Sequence, residues 1–120
     1  MAGIYDITIE QGATFTFTVT VTGVNMTGYS ARMKGKTAKV SSLTLDPVST
    51  NVFSLTTSGG GGISIAPDTN SVITVTMSAA TTAALTAPQQ GVYDLEYESG
   101  AGVVTRILEG RFYVKSEATT

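Results

Sequence analysis

From Thr14 to Thr22 every second residue is threonine, and the residues between are Phe15, Phe17, Val19 and Val21. Successive side chains of a β-strand point to opposite faces, so this period of two makes one apolar face and one threonine face. A helix would scatter both sets around its circumference. Threonine and valine are branched at Cβ and favour an extended backbone. The stretch predicts a strand with Phe15, Phe17, Val19 and Val21 on a core and the threonines turned away from it.

The same alternation runs through most of the chain. Tyr5, Ile7 and Ile9 oppose Asp6, Thr8 and Glu10, and Gln11-Gly12 marks a turn where glycine can take a positive φ. Tyr29, Ala31 and Met33 oppose Arg32 and Lys34, after which Gly35 and Lys36 begin a polar connection. Val40 to Leu45 reads as a strand ended by Asp46-Pro47, and Val52 to Leu55 as a further short one. Ser58 followed by Gly59, Gly60, Gly61 and Gly62 reads as a long hairpin loop. An interdomain linker is disfavoured there, because neither side has enough residues for its own core.

Ile63 and Ile65 resume a strand, and Ile73, Val75 and Met77 line the next. Ser78 suits the N-cap of one short helix over residues 79–85, stopped by Pro88. Tyr93, Leu95 and Tyr97 oppose Asp94, Glu96 and Glu98. Val104, Leu108, Phe112 and Val114 share one parity in a final long strand, and Gly110 shares it too. A glycine there predicts a bulge or a bulky group packed over it. The reading is an all-β, antiparallel, immunoglobulin-like sandwich of about seven to nine strands, forming a single domain over residues 1–120. Phe15, Phe17, Val19, Val75, Leu95, Leu108 and Phe112 are its expected core, and Phe17→Ala is expected to cost about 3–5 kcal/mol.

Composition narrows the function classes. The chain has no cysteine, histidine or tryptophan, which removes disulfides, thiolate or imidazole metal sites and serine–histidine triads. Charged residues make up 13% of the chain, against about 25% in ordinary domains. With 21 threonines, the surface relies on neutral polar groups, which suits large contact areas as well as plain solvation. A net charge of −2 gives no field to attract DNA or an anionic membrane. Neither a signal peptide nor a membrane span is expected, and the lack of cysteine fits synthesis in a reducing cytoplasm. Asn25-Met26-Thr27 matches a glycosylation pattern and is taken as chance.

Three clusters invite chemistry. Asp94, Glu96 and Glu98 share a strand face, at about 7 Å spacing, where carboxylates can bind calcium or hydrolyse glycosides. The preferred reading is that they are solvated, or paired with Arg106 and Arg111 on the neighbouring strand. Arg32, Lys34, Lys36 and Lys39 form a basic run without the aromatic platform that single-stranded nucleic acid needs, so a solvated strand end or an acidic partner is preferred. Gly59 to Gly62 lacks the Gly-Lys-Ser/Thr that completes a phosphate loop. Tyr113 alone among the aromatics falls clearly off its core parity, too little for a sugar-stacking platform.

Six segments stand out in order: Tyr5 to Phe15 with its Gln-Gly turn, Met26-Thr27-Gly28-Tyr29 leading to Met33, Gly62 to Ile65, Met77 to Ala83, Tyr93-Asp94-Leu95-Glu96, and Arg106 to Gly110. Taken together they resemble small β-sandwich proteins of tailed bacteriophages. The glycine run departs from the family, whose connection there is shorter. The resemblance implies a non-enzymatic virion structural protein of the tail, collar, fibre attachment or baseplate, without cofactor or metal. It would be made in the host cytoplasm and work through other virion proteins in repeated copies, without nucleic acid or membrane. Candidate contacts are Thr14, Thr16, Thr18 and Thr20, then Gly59, Gly60, Gly61 and Gly62, then Arg32 and Lys34. A capsid decoration protein and a carbohydrate-binding module are the alternatives.

Overall fold

A computed structural model describes residues 3–40 and 45–118, with the side chains of 38–40 and 45–50 outside the description. The strands are β1 (Gly3–Ile4), β2 (Ile7–Glu10), β3 (Phe15–Val21), β4 (Ser30–Val40), β5 (Leu45–Thr56), β6 (Ile63–Ala66), β7 (Ser71–Met77), β8 (Gln89–Glu98) and β9 (Val104–Lys115). One helix, α1 (Ala79–Ala83), lies between β7 and β8. Two sheets form a sandwich. The larger, six-stranded sheet runs β1-β9-β8-β4-β5 with β2 also on β9, and the smaller runs β3-β7-β6. The expected all-β sandwich with one short helix is the architecture observed. Its pairings are antiparallel except that β1 and β2 run parallel to β9.

The core lies between the sheets. Ile9, Met33, Ile73, Val75, Leu95 and Val114 are fully buried, with Met26, Met77 and Phe112 only 1% exposed. Of the expected core, Val75, Leu95 and Phe112 are buried. Phe15, Phe17, Val19 and Leu108 are only partly so, packed against the cluster rather than inside it. For the three β3 residues the reason is position: β3 is the last strand of its sheet, so no further strand covers their outer flank, and Phe17 has only the half-exposed Tyr5 ring beside it, with centroids 6.0 Å apart. The cost expected for Phe17→Ala is correspondingly smaller than for a fully buried phenylalanine.

Other differences have local causes. Gly35 and Lys36 lie within β4 instead of starting a connection. The Phe53 ring covers Gly35, where a Cβ would stand 2.5 Å from the ring Cζ, so glycine here continues the strand beneath an aromatic. Val40 and Leu45 do not share a strand. They end β4 and begin β5 as paired partners, and residues 41–44 lie outside the described residues. Asp46 and Pro47 therefore sit inside β5, which continues through the short strand expected at Val52 to Leu55. Register shifts beside Lys36 let the two long strands stay paired.

In β9 the parity changes once. Leu95 pairs with Leu108, but the next residue, Glu96, pairs with Arg106, so Ile107 is an extra residue in β9. Such a bulge reverses which side chains face the core. Leu108 and Ile107 both pack on the core, Arg106 turns outward opposite Glu96, and Val104 is 47% exposed instead of buried. Tyr5 packs its ring on Phe17, with centroids 6.0 Å apart, yet is 50% exposed. The first strand breaks at Tyr5-Asp6. The Tyr5 amide donates to the Glu109 carbonyl at 3.0 Å, and its own carbonyl accepts from the Tyr93 hydroxyl. Burial first, then nearby Tyr5 and Asp6, raises the Tyr93 phenol above its ordinary pKa, so it remains a donor. Asp6 Oδ1 accepts the Arg111 amide at 2.9 Å across the break. Gly110 makes this close approach feasible, and the group packed over it is the Tyr5 backbone.

The helix begins where expected: Ser78 Oγ accepts from the Thr81 amide at 3.2 Å. Its buried Thr82 hydroxyl donates to the Ala13 carbonyl at 2.8 Å and accepts from the Gly12 amide at 3.0 Å. The helix thus pins the β2–β3 turn, where Gly12 takes φ 83°.

Candidate functional site

The candidate contact residues fall on opposite outer faces of the sandwich. Thr16, Thr18 and Thr20 are exposed on β3, with Thr14 exposed just before it. Across the sheet, Thr16 lies beside Thr76, Thr18 beside Thr74 and Thr20 beside Val72, and Ser64 and Ala66 of β6 continue the rows. The hydroxyls of Thr16 and Thr76 are 3.1 Å apart and share a hydrogen bond. This whole face is uncharged, because β3, β6 and β7 contain no Asp, Glu, Lys or Arg.

The glycine run joins β5 of one sheet to β6 of the other, so it is a crossover rather than a hairpin loop. Its second half is built into the fold. Gly61 accepts from the Thr56 amide at 2.9 Å, and Gly62 accepts from the Thr76 amide at 2.7 Å. A Cβ on Gly61 would stand 2.5 Å from the Thr56 carbonyl oxygen, and Gly62 takes φ 94°. Gly59 and Gly60 have open space beside them and are exposed. Only these two retain a surface position that a partner could reach freely.

Arg32 and Lys34 occupy the other outer face, since Ala31 and Met33 between and beside them are buried. The register sets out three rows across β4, β8 and β9: Lys36–Val92–Arg111, Lys34–Asp94–Glu109 and Arg32–Glu96–Arg106. The acidic column on β8 is thus flanked by basic residues on both neighbouring strands. Arg32 bonds Glu96 through Nε and Glu98 through Nη1, the latter at 3.1 Å. Arg106 reaches Asp94 at 3.4 Å and Glu109 at 4.0 Å. The hydrogen bonds to Glu96 and Glu98 raise the Arg32 pKa above its ordinary value.

The expected pairing of the carboxylate row with Arg106 is therefore present, but Arg111 takes no part in the described ion pairs and lies beside Val92. Arg32 holds that place. Strand order was needed to find it. The only sequence signal was that charges share the outward parity on three strands. A shallow groove of about 830 Å³ crosses this face, and eight of its twelve lining residues are charged. Arg32, Lys34 and Lys36 of the basic run thus share one face with the acidic row rather than forming a separate site, and the Lys39 side chain lies outside the described residues. Side chains of the ion-paired network are half-exposed, where ion pairs contribute little to stability.

Asp94 gives the network a pH dependence. Burial pushes its carboxyl up from the ordinary value, Arg106 pulls it back, and Glu96 and Glu109 raise it further. A carboxyl with a raised folded pKa binds its proton more tightly in the fold. Its contribution is therefore most favourable when protonated and is lost as pH rises from the ordinary carboxylate value through the raised one. Asp94→Asn removes this loss. Thermal midpoints measured from about pH 3 to about pH 7 should move in the variant's favour as pH rises. Parallel curves would show that ionised Asp94 costs the fold nothing.

No helix among the described residues is long and apolar enough to cross a membrane. A scan against models of known protein families finds no match, and a search of curated proteins finds no similar sequence.

Proposed function

We propose that this protein is a non-enzymatic structural module of a bacteriophage virion, acting at the tail, collar, fibre attachment or baseplate through protein–protein contacts in repeated copies. The reading is supported by the resemblance of six segments, taken in order, to phage β-sandwich proteins, together with the sandwich fold that such a protein requires. The Gln-Gly turn joins β2 to β3, and Met26 to Met33 leads into β4. Gly62 to Ile65 enters β6, Met77 to Ala83 joins β7 to α1, and the last two segments lie on β8 and β9. The six segments together span the chain from β2 to β9, so the resemblance covers the whole sandwich.

The surfaces agree with that role. One outer face is a neutral threonine sheet, and the carboxylates of the other are engaged by Arg32 and Arg106. Both offer broad, shallow contact areas.

The test is mass spectrometry and a cryo-EM map of purified particles from cells carrying this gene. Several copies at the tail, collar, fibre or baseplate are expected. A lattice of copies on the head would replace this reading with a decoration protein. Its absence from purified particles would overturn the virion role, and specific glycan binding by the isolated domain would then favour a carbohydrate-binding module.

A further inference from the structure

Strand β3 ends its sheet, and its inward side chains record what is missing. Phe15, Phe17 and Val19 are each only part-buried, whereas their cross-strand neighbours Met77, Val75 and Ile73 are at most 1% exposed. Both sets face the same core, and Phe17 also meets the half-exposed Tyr5 ring at 6.0 Å, so the difference reflects the missing strand beyond β3. Every second residue of β3 also turns its backbone N–H and C=O toward that flank, where no described strand receives them.

Proteins guard such edges with charges, prolines or bulges. Here β3 has none of the three. Residues 11–31 contain no Asp, Glu, Lys, Arg or Pro, and the β3–β7 register runs unbroken from Phe15–Met77 to Val21–Ser71. The other edges differ. β5 carries Asp46 and Pro47, the β1–β2 edge carries Asp6 and Glu10, and β6 is four residues long with Pro67 after it.

We propose that β3 pairs antiparallel with β3 of a second copy of this chain, around a two-fold axis at Thr18. The sequence of the strand is self-complementary in this register. Thr18 meets its own counterpart, Thr16 meets Thr20, Phe17 meets Val19, and Phe15 meets Val21. Threonine therefore faces threonine on the outside and apolar faces apolar on the inside, as an isologous interface requires. The two small sheets join into one continuous sheet, and the part-exposed aromatics become interior. This deepens the reading of repeated copies by naming the edge and its partner, and rests on that reading only for the expectation that copies meet.

The lack of cysteine makes the test direct. Opposed Cα atoms in an antiparallel ladder are about 4.5–5.5 Å apart, within reach of a disulfide. Oxidised Thr18→Cys should give a covalent dimer with an unchanged circular-dichroism spectrum, and Ser64→Cys on β6 should not. By sedimentation at about 100 μM, where a dimer of micromolar Kd is well populated, the wild type should be a dimer. Thr18→Lys, an exposed change that sets two ammonium groups against each other, should be a folded monomer whose thermal midpoint does not change with protein concentration, whereas the wild-type midpoint should rise with it. A wild-type monomer at that concentration, a dimer that survives Thr18→Lys, or equal crosslinking from positions 18 and 64 would overturn the pairing. A monomer would leave the virion role standing on other contacts. A dimer of a protein missing from particles would leave the pairing and sink the virion role.

Discussion

Phe112→Ala should destabilise the protein by about 3–5 kcal/mol, a large share of the roughly 5–15 kcal/mol that holds a typical domain together. Phe112 is 1% exposed and lies on an interior strand of the larger sheet, paired with Ile7 on one side and Gly91 on the other. Its ring meets the edge of Phe53, with centroids 5.2 Å apart. It also fills the space that a Cβ on Gly91 would need, at 2.8 Å from its Cε2. Alanine would leave a cavity bounded by strands on both sides, which paired backbones cannot close. Denaturant unfolding of Phe112→Ala beside Phe17→Ala gives the comparison, with the smaller loss expected at part-buried Phe17. A loss under about 1 kcal/mol at Phe112 would show that the core can collapse around the gap.

Gly110→Ala should cost about 2–4 kcal/mol, although the residue is partly exposed and the change adds one methyl group. A strand glycine without a close neighbour would respond in the opposite direction, since alanine restricts the unfolded chain and stabilises by about 0.4–1 kcal/mol. Here the new Cβ would stand 2.8 Å from the Tyr5 carbonyl carbon and closer still to its oxygen. Both atoms belong to backbone, so no side-chain rotation relieves the clash. The first strand would have to move from β9, weakening the Tyr5–Glu109, Tyr93–Tyr5 and Arg111–Asp6 hydrogen bonds together. Tyr93→Phe removes only one of these and should cost about 1 kcal/mol. Hydrogen exchange should show early loss of protection over residues 7–10 in Gly110→Ala. Unchanged protection and a stability gain would mean that the first strand is not held at this point.

Most strands were legible because their periodicity is local. The threonine alternation from residue 14 to 22, the Ser78 cap and the Gly12 turn each depend on neighbouring residues, and each lies where the pattern placed it. The failures share a different cause. Asp46-Pro47 carries strong turn chemistry, yet it pairs with β4 because a long partner was available. Val104 kept its parity in sequence and lost it in space, because the extra residue at Ile107 is visible only against β8. Tyr5 alternated correctly and packs its ring on Phe17, yet stays half-exposed where the first strand breaks and Tyr93 holds its carbonyl over Gly110.

The sequence by itself determined that this chain forms strands, which face of each is apolar, and that its charges cluster on few of them. Those properties follow from side-chain chemistry at a spacing of two residues. Only the tertiary structure decided that β3 is an edge and that Arg32 stands beside Glu96 and Glu98. It also decided that the threonine and charged faces lie on opposite sides of the core. These depend on which strands become neighbours. Sheet order comes from the joint packing of all the apolar faces around one core, to which distant segments contribute together.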